Sequence, residues 1–262
     1  MAAEHHEPQR TQGSRPRLDW HAVVKALKSS SAAVTQGALL GSAVLAIGFP
    51  SAVGSGRLFA GSTDVEAVSN TRTSEASGRE AAEFEAANPS AQTRYLVGWV
   101  QRSRDNGGLP FVIVDKKAAM LYLFDTRAHL VASTTVLLGS AVGDVSVAGI
   151  GERPTALVRP EERTTPAGRF VAERGRNARG EDVVWVDYDA AISIHRVITH
   201  NAAERRLERL ASLNASDKRI SYGCINVPAA FYDAYFRPAF AKRSAIVYVL
   251  PDLKTLQQVF GA

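Results

Sequence analysis

Cys224 is the only cysteine in the chain, and it follows a glycine in the run Ser221-Tyr222-Gly223-Cys224-Ile225-Asn226. A glycine there lets the backbone turn sharply, so that the amides of Gly223 and Cys224 can point at a developing oxyanion. A thiol is mostly protonated at neutral pH and needs a base to become a nucleophile. His195 and His200 are the nearest imidazoles in the sequence. His195 closes the apolar run Ala191-Ile192-Ser193-Ile194, a rigid place to hold a ring; His200 lies in the loop before a candidate helix cap. On residues alone two readings stand. Cys224 is a nucleophile served by one of these imidazoles, or it is a buried thiol acting as a small hydrophobe.

Composition narrows the chemistry further. One cysteine in 262 residues excludes a disulfide framework and any zinc or iron–sulfur site built from several thiolates. None of the six His falls in an HExxH pattern, so no metal site is expected. The net charge is +5, but no dense Lys/Arg block interleaved with aromatics occurs, so no nucleic-acid partner is expected. With 45% hydrophobic and 22% charged residues the chain is ordinary globular material.

The elements that would position the thiol and imidazole are short strands. Phe111–Asp115 and Ala119–Phe124 predict a hairpin turning at Lys116-Lys117, and His129–Leu138 a third strand ended by Gly139. Residues 139–163 read as loop. Gly168–Ala172, Val183–Tyr188, Ala191–His195 and Ser244–Leu250 predict further strands. Tyr95–Val100 fits a strand or a short helix, in a region where order is expected to begin near Arg94. Asn201 and Glu204 form a capping-box pattern opening a helix to Leu213. Its apolar stripe is Ala203, Leu207 and Leu210, with Arg205, Arg206, Glu208 and Arg209 facing water. Pro228 opens a second helix, Ala229–Tyr235, broken before Pro238. Cys224 is thus expected in a loop between two helices. Evenly spaced short strands point to a β-sandwich or a barrel-like domain.

The N-terminus has the layout of an export segment. Residues 1–28 are a basic flank, with Arg10, Arg15, Arg17, Lys25 and Lys28, and are expected to stay in the cytoplasm. Residues 29–56 carry no charge and centre on the apolar run Ala38–Phe49. Three readings remain open: a cleaved signal peptide, an uncleaved transmembrane anchor in the inner membrane, or a buried soluble helix. Either export reading places the rest of the chain in the periplasm or cell envelope. Residues 57–93 form a polar linker with one short helix near Glu80–Ala87.

Three motifs in order carry a family resemblance. They are Ile194-His195, the run Ile220-Ser221-Tyr222-Gly223-Cys224-Ile225-Asn226-Val227, and the turn Thr164-Thr165-Pro166-Ala167-Gly168-Arg169-Phe170. Together with Val112–Gly139 they resemble the L,D-transpeptidases with a YkuD-type catalytic domain, over residues 109–251 of a domain spanning 94–262. The resemblance implies a mainly β (α+β) fold, a mixed β-sandwich with a short helix after the catalytic cysteine and an inserted helix before it. It implies a peptidoglycan L,D-transpeptidase that acts on tetrapeptide stems through a cysteine thioester, releases D-Ala and forms 3-3 cross-links, or exchanges or hydrolyses the stem terminus, with no cofactor. By this resemblance Cys224 is the nucleophile, His195 the general base and Gly223 an oxyanion-hole backbone donor. Ser221, Tyr222, Asn226 and Arg196 are then candidates for holding substrate, Arg196 through a stem carboxylate.

The sequence departs from the pattern in three places. Tyr222 stands where the family has His, and Arg196 where Gly or Ser is common. The Asn201–Leu213 insertion, a lid, a substrate wall or surface decoration, lengthens the spacer. Tyr222 keeps a second reading open, a catalytically weak wall-binding or scaffolding module on the same fold. A papain-like protease fits poorly, because His precedes Cys and no matching cysteine signature occurs.

Overall fold

The run Phe111-Val112-Ile113-Val114 shows no polar alternation because both of its faces are covered. In the computed structural model, which describes residues 81–241 and 244–262, it is β1 (Phe111–Asp115). β1 pairs antiparallel with β2 (Met120–Phe124) and parallel with β10 (Ala245–Val249). Alternate residues of β1 enter different cores. Phe111 and Ile113 pack under α1 (Ala91–Ser103), against Leu96, Val97 and Val100, while Val112 and Val114 face the main core.

The sheet continues outward from β2 through β3 (Leu130–Thr135). On the other side it continues through β5 (Gly168–Arg176), β6 (Asp182–Asp187), β7 (Ile192–Arg196) and β9 (Ile225–Val227). The order is β3-β2-β1-β10-β5-β6-β7-β9. β5 joins two halves. Its residues 168–172 pair with β10, and residues 173–176 pair with β6. Val112 and Val247 from one half meet Val184, Ile194 and Ile225 from the other in a single apolar cluster. The result is a sandwich-like, sheet-dominated α+β fold. A second sheet pairs β4 (Leu138–Gly139) with β8 (Arg219–Ser221), and Cys224 lies in the loop from β8 to β9.

Some elements follow one of the expected readings and others differ. Tyr95–Val100 is helical, and its helix starts before Arg94 because Ser90 caps it, its side chain accepting from the Thr93 amide. The short helix expected near Glu80–Ala87 is present over residues 81–86, and its Phe84 packs edge-on to Tyr122 and Phe124. The third strand is split at Val136 because Leu138–Gly139 leaves β2 to pair with β8. The second helix is not broken before Pro238. α3 (Ala229–Phe231) runs through a π turn, Tyr232–Phe236, into α4 (Arg237–Ala239), and the widened turn accommodates the proline. The last helix, α5 (Leu256–Phe260), was not anticipated; Thr255 and Gln258 cap it reciprocally. The cysteine loop therefore joins two strands, not two helices.

Lys116 lies in the expected turn, and its side chain is buried. Its ammonium lies 2.9 Å from Asp144 and 3.2 Å from Asp252, and it donates to the carbonyls of Gly143 and Thr165. Arg219 reaches the other oxygen of Asp252 at 2.7 Å. Burial disfavours the Asp144 carboxylate, but amides of Lys254, Asp252 and Leu253 and the Lys116 ammonium outweigh that and pull its pKa from 3.8 to about 2. A depressed folded-state pKa contributes stability above the unfolded value and loses it as pH falls through the folded value. Stability of about 2 kcal/mol from this carboxylate is expected to vanish between pH 3.8 and about 2. Urea unfolding at stepped pH checks this, with Asp144→Asn showing a flatter acid limb.

Among the described residues no helix is long and apolar enough to cross a membrane. The basic flank 1–28, the apolar segment 29–56 and residues 57–80 of the linker lie outside the described residues.

Candidate active site

The pairing of β7 with β9 builds the site. The two strands are parallel, with Ile194 beside Ile225 and His195 beside Asn226. Side chains alternate along each strand, so Ile194 and Ile225 enter the core while Ser193, His195, Cys224 and Asn226 share the opposite face. Sγ of Cys224 lies 3.7 Å from Oγ of Ser193 and 3.5 Å from the carbonyl oxygen of Ala191.

His195 and Cys224 perturb each other. Burial pushes the thiol up, but the hydrogen bond and charge of His195, with the Ser193 amide and hydroxyl, outweigh it and lower the Cys224 pKa. Burial likewise opposes the charged imidazole, yet the hydrogen bond and charge of Cys224 raise the His195 pKa. Both shifts favour the same state, a thiolate beside an imidazolium. The ring is oriented from behind: Nδ1 faces the Arg196 carbonyl oxygen at 2.7 Å. A carbonyl only accepts, so Nδ1 carries the proton and Nε2 is left as the basic atom. His200 is exposed and lines, with His195, a cavity of about 250 Å³ that also includes Asp182 and Arg196. His195 is the imidazole on the strand face that Cys224 shares.

The loop before Cys224 is held from below. Gly223 has φ +133°, and a Cβ there would sit 2.6 Å from both the Thr164 carbonyl oxygen and Cδ1 of Ile192. Thr165, fully buried, donates its hydroxyl to the Gly223 carbonyl at 2.8 Å and accepts from the Gly139 amide at 2.9 Å. Lys116 holds the Thr165 carbonyl in turn, which links the buried ion cluster to the cysteine loop. Gly223→Ala is expected to cost about 1–3 kcal/mol in stability and to slow thiol alkylation at least tenfold. Unfolding in urea at the wild-type midpoint would contradict the tight fit.

The other expected site residues are placed as follows. Ser221 is buried; its hydroxyl donates to the Cys224 carbonyl at 2.6 Å and accepts from the Gly223 amide at 3.1 Å, so it braces the loop. The Gly223 amide, expected to serve an oxyanion, is therefore occupied by Ser221. Tyr222 is 40% exposed, and the Arg163 guanidinium sits 4.2 Å above its ring. Arg196 does not present a free guanidinium. It pairs with Asp233 at 2.5 Å and stacks on Tyr232, so a substrate carboxylate would have to displace Asp233. Asn226 is fully buried. Its Nδ2 lies 3.4 Å from Nε2 of His195 and donates to the Cys224 carbonyl at 3.2 Å, while its Oδ1 accepts from Arg206 at 2.6 Å.

Three contributors were missed in the sequence. Ser193 could have been found from the apolar–polar alternation Ile192-Ser193-Ile194-His195. Thr165 was read mainly as a turn former. Arg206 was expected to face water, but the Asn201 segment is not one helix. Asn201 caps a single 3-10 turn, Ala202–Glu204; Arg205 then takes a left-handed conformation, φ +50°, and α2 (Arg206–Ala211) starts afresh. The Glu204 carboxylate pairs with Arg206 instead of closing a capping box. The reset turns Arg206 inward and leaves Leu207, expected in the apolar stripe, 59% exposed.

No protein-family model matches this sequence, and no curated protein matches it. Solved structures similar to the chain are L,D-transpeptidases and a cell-shape protein. The helical cell shape determining protein Pgp2 from Campylobacter jejuni shares 14% identity at a TM-score of 0.38, over 56% of this chain and 49% of that one. The L,D-transpeptidase LdtMt1 in complex with imipenem shares 15% at 0.33, over 54% and 58%. The catalytic domain of the E. faecium L,D-transpeptidase shares 16% at 0.31, over 54% of this chain and 96% of the domain. The chain thus spans about half the length of the Pgp2 and LdtMt1 chains. The chemistry rests on the residues around Cys224.

Proposed function

We propose that the chain is a cysteine acyltransferase of the cell envelope, a peptidoglycan L,D-transpeptidase. The observation that carries this reading is the placing of Cys224 and His195 on one face of the β7–β9 pair, with Nδ1 of His195 held by the Arg196 carbonyl so that Nε2 is the basic atom. A buried thiol with no role needs no such partner.

Nε2 of His195 takes the thiol proton, and the thiolate attacks the carbonyl carbon of the L-centre residue in a tetrapeptide stem. The new C–S bond leaves an oxyanion, for which the Cys224 amide is the nearby donor, since Ser221 holds that of Gly223. The tetrahedral intermediate collapses, the C–N bond breaks, and the imidazolium protonates the departing amine of D-Ala. An amine of a neighbouring stem then attacks the thioester, gives its proton to His195 and frees the thiolate, leaving a 3-3 cross-link. Water or a free D-amino acid in place of that amine gives hydrolysis or exchange. The resemblance of the three motifs supports this substrate, and the export layout of residues 1–56 supports an envelope location. The Asn201–Leu213 segment supplies Arg206 to the site, which favours a positioning role over surface decoration.

The Tyr222 substitution sustains the rival reading of a wall-binding module. The pH dependence of Cys224 alkylation separates the two. The enzyme reading predicts a first rise in rate below the ordinary thiol range, as the thiolate forms. It predicts a second inflection above the ordinary imidazole value, where His195 loses its proton. His195→Ala is expected to remove the first rise and leave the thiol, opposed by burial and helped only by the Ser193 amide and hydroxyl, reacting at higher pH than in the wild type. A wild-type profile with one inflection at the ordinary thiol value would favour the binding module.

A further inference from the structure

We propose that Arg206 is a positioning residue that acts through Asn226 to lower the proton affinity of Nε2 of His195. The argument rests on donor and acceptor counting. A guanidinium has donors only, so the Asn226 atom 2.6 Å from it is the oxygen. The amide is thereby fixed, and the atom it turns toward Nε2, 3.4 Å away, is the NH2 group. That group offers a hydrogen to a lone pair and clashes with an N–H. Protonating Nε2 would set donor against donor and bring a second cation near Arg206. The Arg196 carbonyl has already fixed the proton on Nδ1, so both sides of the ring agree on one tautomer.

Arg206 can do this because it is held itself. Its side chain is only 11% exposed, and Glu204 pairs with its Nε. Other charges face the imidazole from each neighbouring element. Cys224 comes from the loop before β9, and Arg196 follows on β7. Across the cavity lie Glu181, Asp182 and His200. The Cys224 thiolate raises the imidazole pKa and Arg206 lowers it, so the two set the ring from opposite sides. Without the guanidinium the Asn226 amide is free to flip. Its oxygen would then accept from Nε2–H, and the ring would hold its proton more tightly.

The catalytic consequence rests on the proposed function, but the geometry does not, and the test separates them. In the full chain carrying Cys224→Ala, which removes the thiolate, the His195 titration is followed by NMR. Adding Arg206→Met is expected to raise its midpoint by about one pH unit, a tenfold change in proton affinity. Arg206→Lys, which keeps a charged donor, is expected to return most of that shift. In an Asn226→Ala background the effect of Arg206→Met is expected to fall to less than half. An unchanged midpoint in Arg206→Met overturns the proposal. So does a shift of equal size with and without Asn226, which would assign the effect to through-space charge. A shift that follows the prediction in a chain that releases no D-Ala upholds the role of Arg206 and removes the transpeptidase reading alone.

Discussion

Cys224→Ala is expected to abolish release of D-Ala from a disaccharide tetrapeptide, a loss on the order of 10⁴-fold or more. The size follows from covalent catalysis: without the sulfur there is no thioester, and the imidazole has no nucleophile to deprotonate. A carbapenem should acylate the wild-type chain on its single sulfur and leave the alanine variant unmodified, an intact-mass difference read in one spectrum. His195→Ala should also suppress turnover while leaving the thiol alkylatable at high pH. His200→Ala should leave turnover near wild type, because that side chain is exposed and the Arg196 carbonyl and Asn226 already orient His195. Loss of activity in His200→Ala alone would reassign the base.

Lys116→Met carries the largest expected effect on stability. The ammonium joins the β1–β2 turn to Asp144 in the long loop and to Asp252 after β10, and it satisfies two carbonyls. Removing one partner of a buried ion pair leaves uncompensated charge and costs about 3–5 kcal/mol. For a domain of this size that lowers Tm by roughly 10 °C. Arg219 remains on Asp252, so Asp144 takes most of the loss. Because Lys116 holds Thr165 and Thr165 holds Gly223, thiol alkylation in the folded variant should slow as well. A wild-type Tm would show that the cluster is replaceable by apolar packing.

Strands with covered faces were readable because burial writes itself into composition. The runs at 111–114 and 245–250 are apolar and rich in Val and Ile, and the structure pairs them in parallel at the centre of the sheet. Local pattern failed where tertiary contacts decide. Leu137-Leu138 reads as a continuation of β3, but its backbone bonds go to Asn226 and β8. Lys116 reads as a turn lysine because nothing in its neighbourhood announces two aspartates 28 and 136 positions away. The nucleophile loop was legible from Gly223-Cys224, whose glycine the strained φ requires. Its occupied amide was not legible, since that depends on the rotamer of Ser221. Arg206 was hidden for a similar reason: helical periodicity assumes one continuous helix, and the left-handed Arg205 breaks the phase.

The central claim is that the sulfur of Cys224 and the imidazole of His195 transfer an acyl group between peptidoglycan stems. Intact-mass analysis of the protein and of disaccharide tetrapeptides after incubation reads this directly. The account predicts a transient adduct on Cys224 lighter than protein plus substrate by one D-Ala, followed by dimers that have lost one D-Ala. Unmodified protein and intact tetrapeptides, from a sample whose thiol still alkylates, would contradict it.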